Sequence, residues 1–313
     1  MARSEAIQGV LFASPWMLGL CLFTAFPIGY SVLLSFSDWD PYDPIAHRTF
    51  VGLDNYLRAL TGDPLVWKAL GNTFFYAILA IPLGLCTSLG LALLLNQKLR
   101  GITVFRTIFY IPSVVGGVAT VVLWMYIFNP VFGPLNGLLR ALNNFFDQTG
   151  YLAFITVPEP GWFADPAWAK PSLIIMNLWT AGGAGMLIFL AGLQGVPVEL
   201  YEVAELDGAG RGRKFWNITL PMLTPTIYFN FVMGLIGALQ VFMQALVIAG
   251  EKGGYDNSLL FYVLYLYRKA FIEYEMGYAS ALAWILFVII LTLTMAVVRS
   301  SRTWVYYEGE RKA

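Results

Sequence analysis

PVELYEVAELDGAGRGRKFWNITLP, residues Pro197 to Pro221, decides how the rest of the chain is read. Four acids, Glu199, Glu202, Glu205 and Asp207, are followed by three bases, Arg211, Arg213 and Lys214. On either side lie uncharged apolar runs, 171–194 and 222–249. Charge is costly in hydrocarbon, so the stretch stands outside whatever its flanks cross, and it offers a contact surface. Pro197 at the first helical position and Gly208 just past the end predict a short helix. Glu199, Glu202 and Glu205 recur every three residues and line one stripe, with Leu200, Val203 and Ala204 as an apolar patch beside it. Such a helix is built to dock.

Working outward, the flanks set the class. The 313 residues are 58% hydrophobic and 12% charged, against roughly 25% charged in soluble domains, so the chain belongs in a bilayer. With 19 bases and 19 acids the net charge is zero, and nothing points to nucleic acid. Cys21 and Cys86 fall inside apolar runs and suggest neither a disulfide framework nor a metal site. Spans are expected at about 10–36, 69–95, 104–128, 171–194, 222–249 and 277–298, each near or above the roughly 20 residues a membrane helix needs. The first is too long for the apolar part of a signal peptide, about 7–15 residues, and Pro15 and Pro27 are expected to kink it. The fold class is an all-α integral membrane protein with six transmembrane helices in a single domain, 1–313, and a charged loop at 195–221.

Within those runs Arg106, at the edge of the third, is the one ionisable residue of the Asp, Glu, Lys, Arg and His set. With the amino terminus inside, Arg3, Lys98, Arg100, Arg106, Arg211, Arg213, Lys214, Arg299, Arg302, Arg311 and Lys312 are cytoplasmic, and the remaining bases are spread over longer outer segments. The positive-inside rule favours this orientation and puts both termini in the cytoplasm. In the outer segment 129–170, Leu135, Leu138, Leu139, Leu142 and Phe146 predict an amphipathic helix at the membrane surface, either a packing lid or a docking surface. The tail from Arg299 is polar and expected to fray, and His47 is expected at the surface of an outer loop.

A proton-coupled carrier or an intramembrane enzyme needs ionisable groups within the bilayer, which these runs lack. Gly208, Gly210 and Gly212 before Arg213 and Lys214 do not make a phosphate loop, because Gly-Lys-Ser/Thr is missing. Asn217-Ile218-Thr219 fits the glycosylation pattern but falls on the cytoplasmic side. What the runs hold is neutral polarity. At 100° per residue Asn230, Gly234, Gly237, Gln240 and Gln244 share one side of the fifth, and Asn177, Thr180, Ala181, Ala184 and Gly185 one side of the fourth. Two uses stay open: close helix packing, or a water-accessible path whose amides would bond a neutral, hydroxyl-rich solute.

The charged loop also resembles a known motif. Glu202, Val203 and Ala204, then Gly208, then Ile218, Leu220 and Pro221 have the spacing of the EAA loop of permease subunits from bacterial binding-protein-dependent ATP-binding-cassette importers, with Val203 in place of the first Ala. FVGLDNY at 50–56, LALLLNQKLRG at 91–101, FRTIFYIP at 105–112 and FNPVFGPLNGLL at 128–139 are similar to the sugar-uptake branch, which includes maltose, lactose and glycerol-3-phosphate systems. The resemblance implies a multi-pass permease of a bacterial inner membrane for a carbohydrate or polyol. It would pair with a second, homologous permease, sit on two ATP-binding subunits and receive solute from an extracytoplasmic binding protein. No cofactor is then expected in this chain, ATP and Mg belonging to the partners. Glu202, Val203, Ala204, Asp207, Gly208, Ile218, Leu220 and Pro221 would couple to the ATPase, and Asn177, Thr180, Asn230, Gly237, Gln240 and Gln244 would border the path. The alternative from the residues alone is a self-sufficient carrier or channel for a neutral solute.

Overall fold

The computed structural model describes residues 2–39, 48–97, 99–149 and 157–306, the side chains of 2–7 and 149 excepted. His47, Lys98 and the tail beyond 306 lie outside the described residues. Contacts divide the chain into two compact units, one of Met1–Trp67 with Tyr265–Ile289, the other of Lys68–Leu264 with Ile290–Ala313.

In the first unit, helix Ala2–Leu20 passes through a π-helical turn, Cys21–Ala25, into helix Phe26–Ser35. The wide turn lies just before Pro27, whose ring cannot donate to the turn behind it. A two-residue antiparallel ladder, Ser37–Asp38 with Thr49–Phe50, follows. Asn55, 9% exposed, ties it down by donating to the carbonyls of Ser35 and Ser37, each at 3.0 Å. Gly277 comes so close to Ser37 that an added Cβ would stand 1.9 Å from its carbonyl oxygen. Asp63 gathers a polar cluster in the same unit. It accepts from the hydroxyls of Tyr265 and Tyr278, while Lys269, nearly buried, pairs with Glu273 at 2.5 Å and Arg58 pairs with Glu275 at 2.8 Å.

In the second unit, the helices Pro64–Leu95, Pro166–Gln194 and Thr224–Leu239 pack through small residues. A Cβ on Gly185 would meet Ser88 Oγ at 2.5 Å, one on Gly183 the Phe109 carbonyl at 2.6 Å, and one on Gly192 Thr226 Oγ1 at 2.6 Å. Ala92, Leu95, Met186, Phe189, Leu190, Leu193 and Leu223 form a buried core where these helices meet. Backbones that approach this closely gain dispersion contacts, which is how helices associate where no water drives them together.

Four expectations are corrected. The third run is two helices, Ile102–Val114 and Gly117–Ile127, bent by 99°. The first helix passes through Pro112 and ends at Val114, Val115 and Gly116 turn extended, and Gly117 starts afresh. Five helices are therefore long and apolar enough to cross a membrane, and six if the bent pair counts as one span. The fourth helix starts at Pro166, with the Asp165 side chain accepting from the Ala167 amide at 2.9 Å, so Lys170 falls within it and donates to Asn72 Oδ1 at 3.0 Å. The fifth run is interrupted between helices Thr224–Leu239 and Met243–Ala249. The last helix, Met276–Trp304, continues through the segment expected to fray, because Ser301 and Val305 are buried and the Tyr306 amide donates to Thr224 Oγ1 at 2.8 Å.

Candidate functional site

The charged loop folds as the short helix Val198–Leu206, with Pro197 one place earlier than expected, as its N-cap. Its end is built by Gly208, at φ +74°. The Gly208 amide donates to Glu205 O at 3.0 Å and the Ala209 amide to Ala204 O at 2.8 Å. These are the two bonds of a Schellman motif, which satisfies the last carbonyls and needs a residue that tolerates the left-handed region. A second short helix, Arg211–Lys214, leads through a π turn, Phe215–Thr219, to Leu220, Pro221 and the fifth run.

Two side-chain bonds brace the loop across its own turn. Lys214 pairs with Glu205, and the Tyr201 hydroxyl lies 2.9 Å from Thr219 Oγ1. The hydrogen bond from Lys214 and its charge hold the Glu205 carboxyl below the usual carboxylate range. Ala204, Asp207, Arg213, Asn217 and Ile218 border a groove of about 280 Å³. On the outside, Glu202 is exposed beside Val203 at 58% and Leu206 at 89% exposure. Apolar side chains displayed on a charged helix are what a partner surface would cover.

The neutral stripes meet in one cleft of about 420 Å³. Asn177, Ala181, Ala184 and Gly185 come from the fourth helix, and Asn230, Gly234, Gly237, Gln240 and Gln244 from the fifth. Thr180 does not line it; its hydroxyl donates to Asn177 O at 3.0 Å. The fifth stripe reaches the cleft by another route than the straight helix assumed for it: the chain leaves the helix at Gln240, and Gln244 enters from the next segment. A third wall was missed, formed by Tyr76, Ala80, Ile81, Gly84 and Ser88 of the second helix. Its signal was weak, since Gly84 and Ser88 sit in a mostly apolar run with Pro82 and Thr87 and mark no face of their own. No residue lining the cleft is charged, so it offers amide and hydroxyl groups in otherwise apolar walls.

Residues 80–305 match the family described as binding-protein-dependent transport system inner membrane component. The chain belongs to that family. It is 38% identical over 312 residues to YesP of Bacillus subtilis, a probable ABC transporter permease protein, covering 99% of this chain and 95% of that one. It is 31% identical to the lactose transport system permease protein LacF of Rhizobium radiobacter, with 94% of each chain covered. Its fold is similar to a chain of a bacterial ABC transporter involved in the import of the acidic polysaccharide alginate, at a TM-score of 0.78 and 22% identity, covering 96% of this permease and 99% of that chain. As a member of this family the chain is an inner-membrane permease, a transport component and not an enzyme.

Proposed function

We propose that the chain, 1–313, acts as one permease domain of an ATP-driven importer for a neutral carbohydrate or polyol. It provides half of the translocation path beside a second, homologous permease. Both termini face the cytoplasm, helix Val198–Leu206 rests on one of two ATP-binding subunits, and a binding protein delivers solute to the opposite face. ATP and Mg are held by the partners. The observation that carries this is the charged loop, with EAA spacing, a Schellman end at Gly208 and exposed apolar side chains, in a chain of the permease family. The proposed substrate class is supported by the uncharged amide-lined cleft and by a relative whose name is that of a lactose permease.

The mechanism follows from rigid-body motion. Closure of the ATPase dimer moves the docked helix, and its short connections through Val196 and Leu220 carry the movement to the helices that wall the cleft. Glu202, Val203, Ala204, Asp207 and Gly208 form the docked surface, while Ile218, Leu220 and Pro221 transmit it. Asn177, Asn230, Gly237, Gln240 and Gln244 border the path, with Thr180 supporting Asn177 from behind. In the reconstituted complex, Glu202→Ala and Gly208→Val are expected to leave insertion and ATPase activity intact while solute uptake per ATP falls at least tenfold. Normal uptake by both variants would overturn the coupling assignment. Gly208→Asn, which tolerates the left-handed turn, should lose less.

A further inference from the structure

Helix Pro134–Thr149 is inside out, and we infer that it lies in the membrane interface with its apolar side among lipid acyl chains and its polar side turned to its own protein. At 3.6 residues per turn Leu138, Leu142 and Phe145 share one side, and Asn136, Arg140 and Asn143 the opposite one. The polar side is the bonded side. Asn136, 1% exposed, donates to Pro130 O at 3.2 Å and Pro160 O at 3.1 Å, and it accepts from Trp162 Nε1 at 2.6 Å. Arg140 donates to the carbonyls of Pro130 and Val131 at 2.8 and 2.9 Å and to Glu159 at 3.0 Å. Asn143 exchanges two bonds with the Val157 backbone at 3.0 and 2.8 Å. Leu138 is 58% exposed and Phe145, whose ring contacts that of Phe146, 59%, with Leu142 between them.

A helix resting on a protein in water shows the reverse order, apolar side down and polar side up. Here the groups that water would satisfy are hidden and those it rejects are displayed, which is the order hydrocarbon surroundings favour. The displayed side also continues an exposed apolar band on the preceding helix. Val118, Val122 and Tyr126 of helix Gly117–Ile127 are exposed, Tyr126 contacts the Phe132 ring at 6.0 Å, and exposed Val131 and Phe132 carry the band on to Leu138. No charged residue stands on the displayed side among 138, 141, 142 and 145, so acyl chains and not headgroup charge are its occupant. This rests on the inner-membrane location of the family and not on the solute proposed above.

The test uses the assembled complex in vesicles of phosphatidylethanolamine and phosphatidylglycerol, in a Cys21→Ser, Cys86→Ser background. Single nitroxide labels are placed at Leu138→Cys, Leu142→Cys and Phe145→Cys, with Asn144→Cys and Asp147→Cys as references. Oxygen, which concentrates in lipid, should relax the labels at 138, 142 and 145 more strongly than a water-soluble nickel chelate does, and the ratio should invert at 147. Two outcomes overturn the inference. Strong relaxation by nickel at 138 and 142 means that the side faces water, and shielding from both reagents means that a protein covers it.

Discussion

Asp63 shows how one side chain can hold a unit together. Burial would raise its pKa, but hydrogen bonds from Tyr265, Tyr278 and the Leu65 amide, with the nearby Lys269 charge, keep the carboxyl below its ordinary range. A group with a lowered native pKa contributes fully above the unfolded carboxylate pKa, and that contribution is lost as pH falls through the native value. Thermal stability of the purified permease should therefore be level with pH near neutrality, where the Asp63 contribution is complete, and decline in acid. Asp63→Asn should cost about 1–2 kcal/mol at neutral pH and flatten the acid limb, read from unfolding midpoints across pH. Neither this cluster nor the two tyrosines could be found in the sequence, because 63, 265 and 278 carry no shared spacing and only the fold brings them together. Gly208 is the opposite case, since a glycine after a short helix announces the left-handed turn it makes.

Among elements, the long ones were legible and their interruptions were not. Hydropathy finds the second, fourth and last helices because burial in lipid demands an unbroken apolar run. It does not find the breaks at Val115–Gly116 and Gln240–Phe242, since the residues there are as apolar as their neighbours or no more polar than an amide. Periodicity likewise gave helix 134–149 its stripe but not the side that faces the protein, because a period has no sign. Close packing and the cleft meet at one residue of the fourth helix: Gly185 packs on Ser88 and borders the cleft. Gly185→Val should force the second and fourth helices apart at a cost of about 1–3 kcal/mol, seen as a lower unfolding midpoint in detergent. Ser88→Gly in the same chain should recover most of the loss, and no recovery would place the damage elsewhere.

For the whole permease, the division of labour follows from where charge is missing. A cleft with amides and no acidic or basic residue gives a coupling ion little to bind, which is why energy is proposed to enter through the exposed charged helix Val198–Leu206. The chain reconstituted alone in liposomes should pass no sugar, and flux should need both the ATP-binding subunits and ATP. Flux from the chain alone would favour the self-sufficient carrier. The uncharged cleft and the charged helix were legible because the sequence displays charge placement directly, whereas the third wall of the cleft depends on which faces meet.

The bonds that hold helix 134–149 also set an order in time. Among the described residues, the partners of Asn136, Arg140 and Asn143 lie between Pro130 and Trp162, within 26 residues along the chain. Contacts so local close cheaply and fast. The helix can thus be turned polar side inward as soon as residue 162 has been synthesised, before the helix starting at Pro166 exists. The fourth span is then laid down beside a wall whose outward face is already fixed.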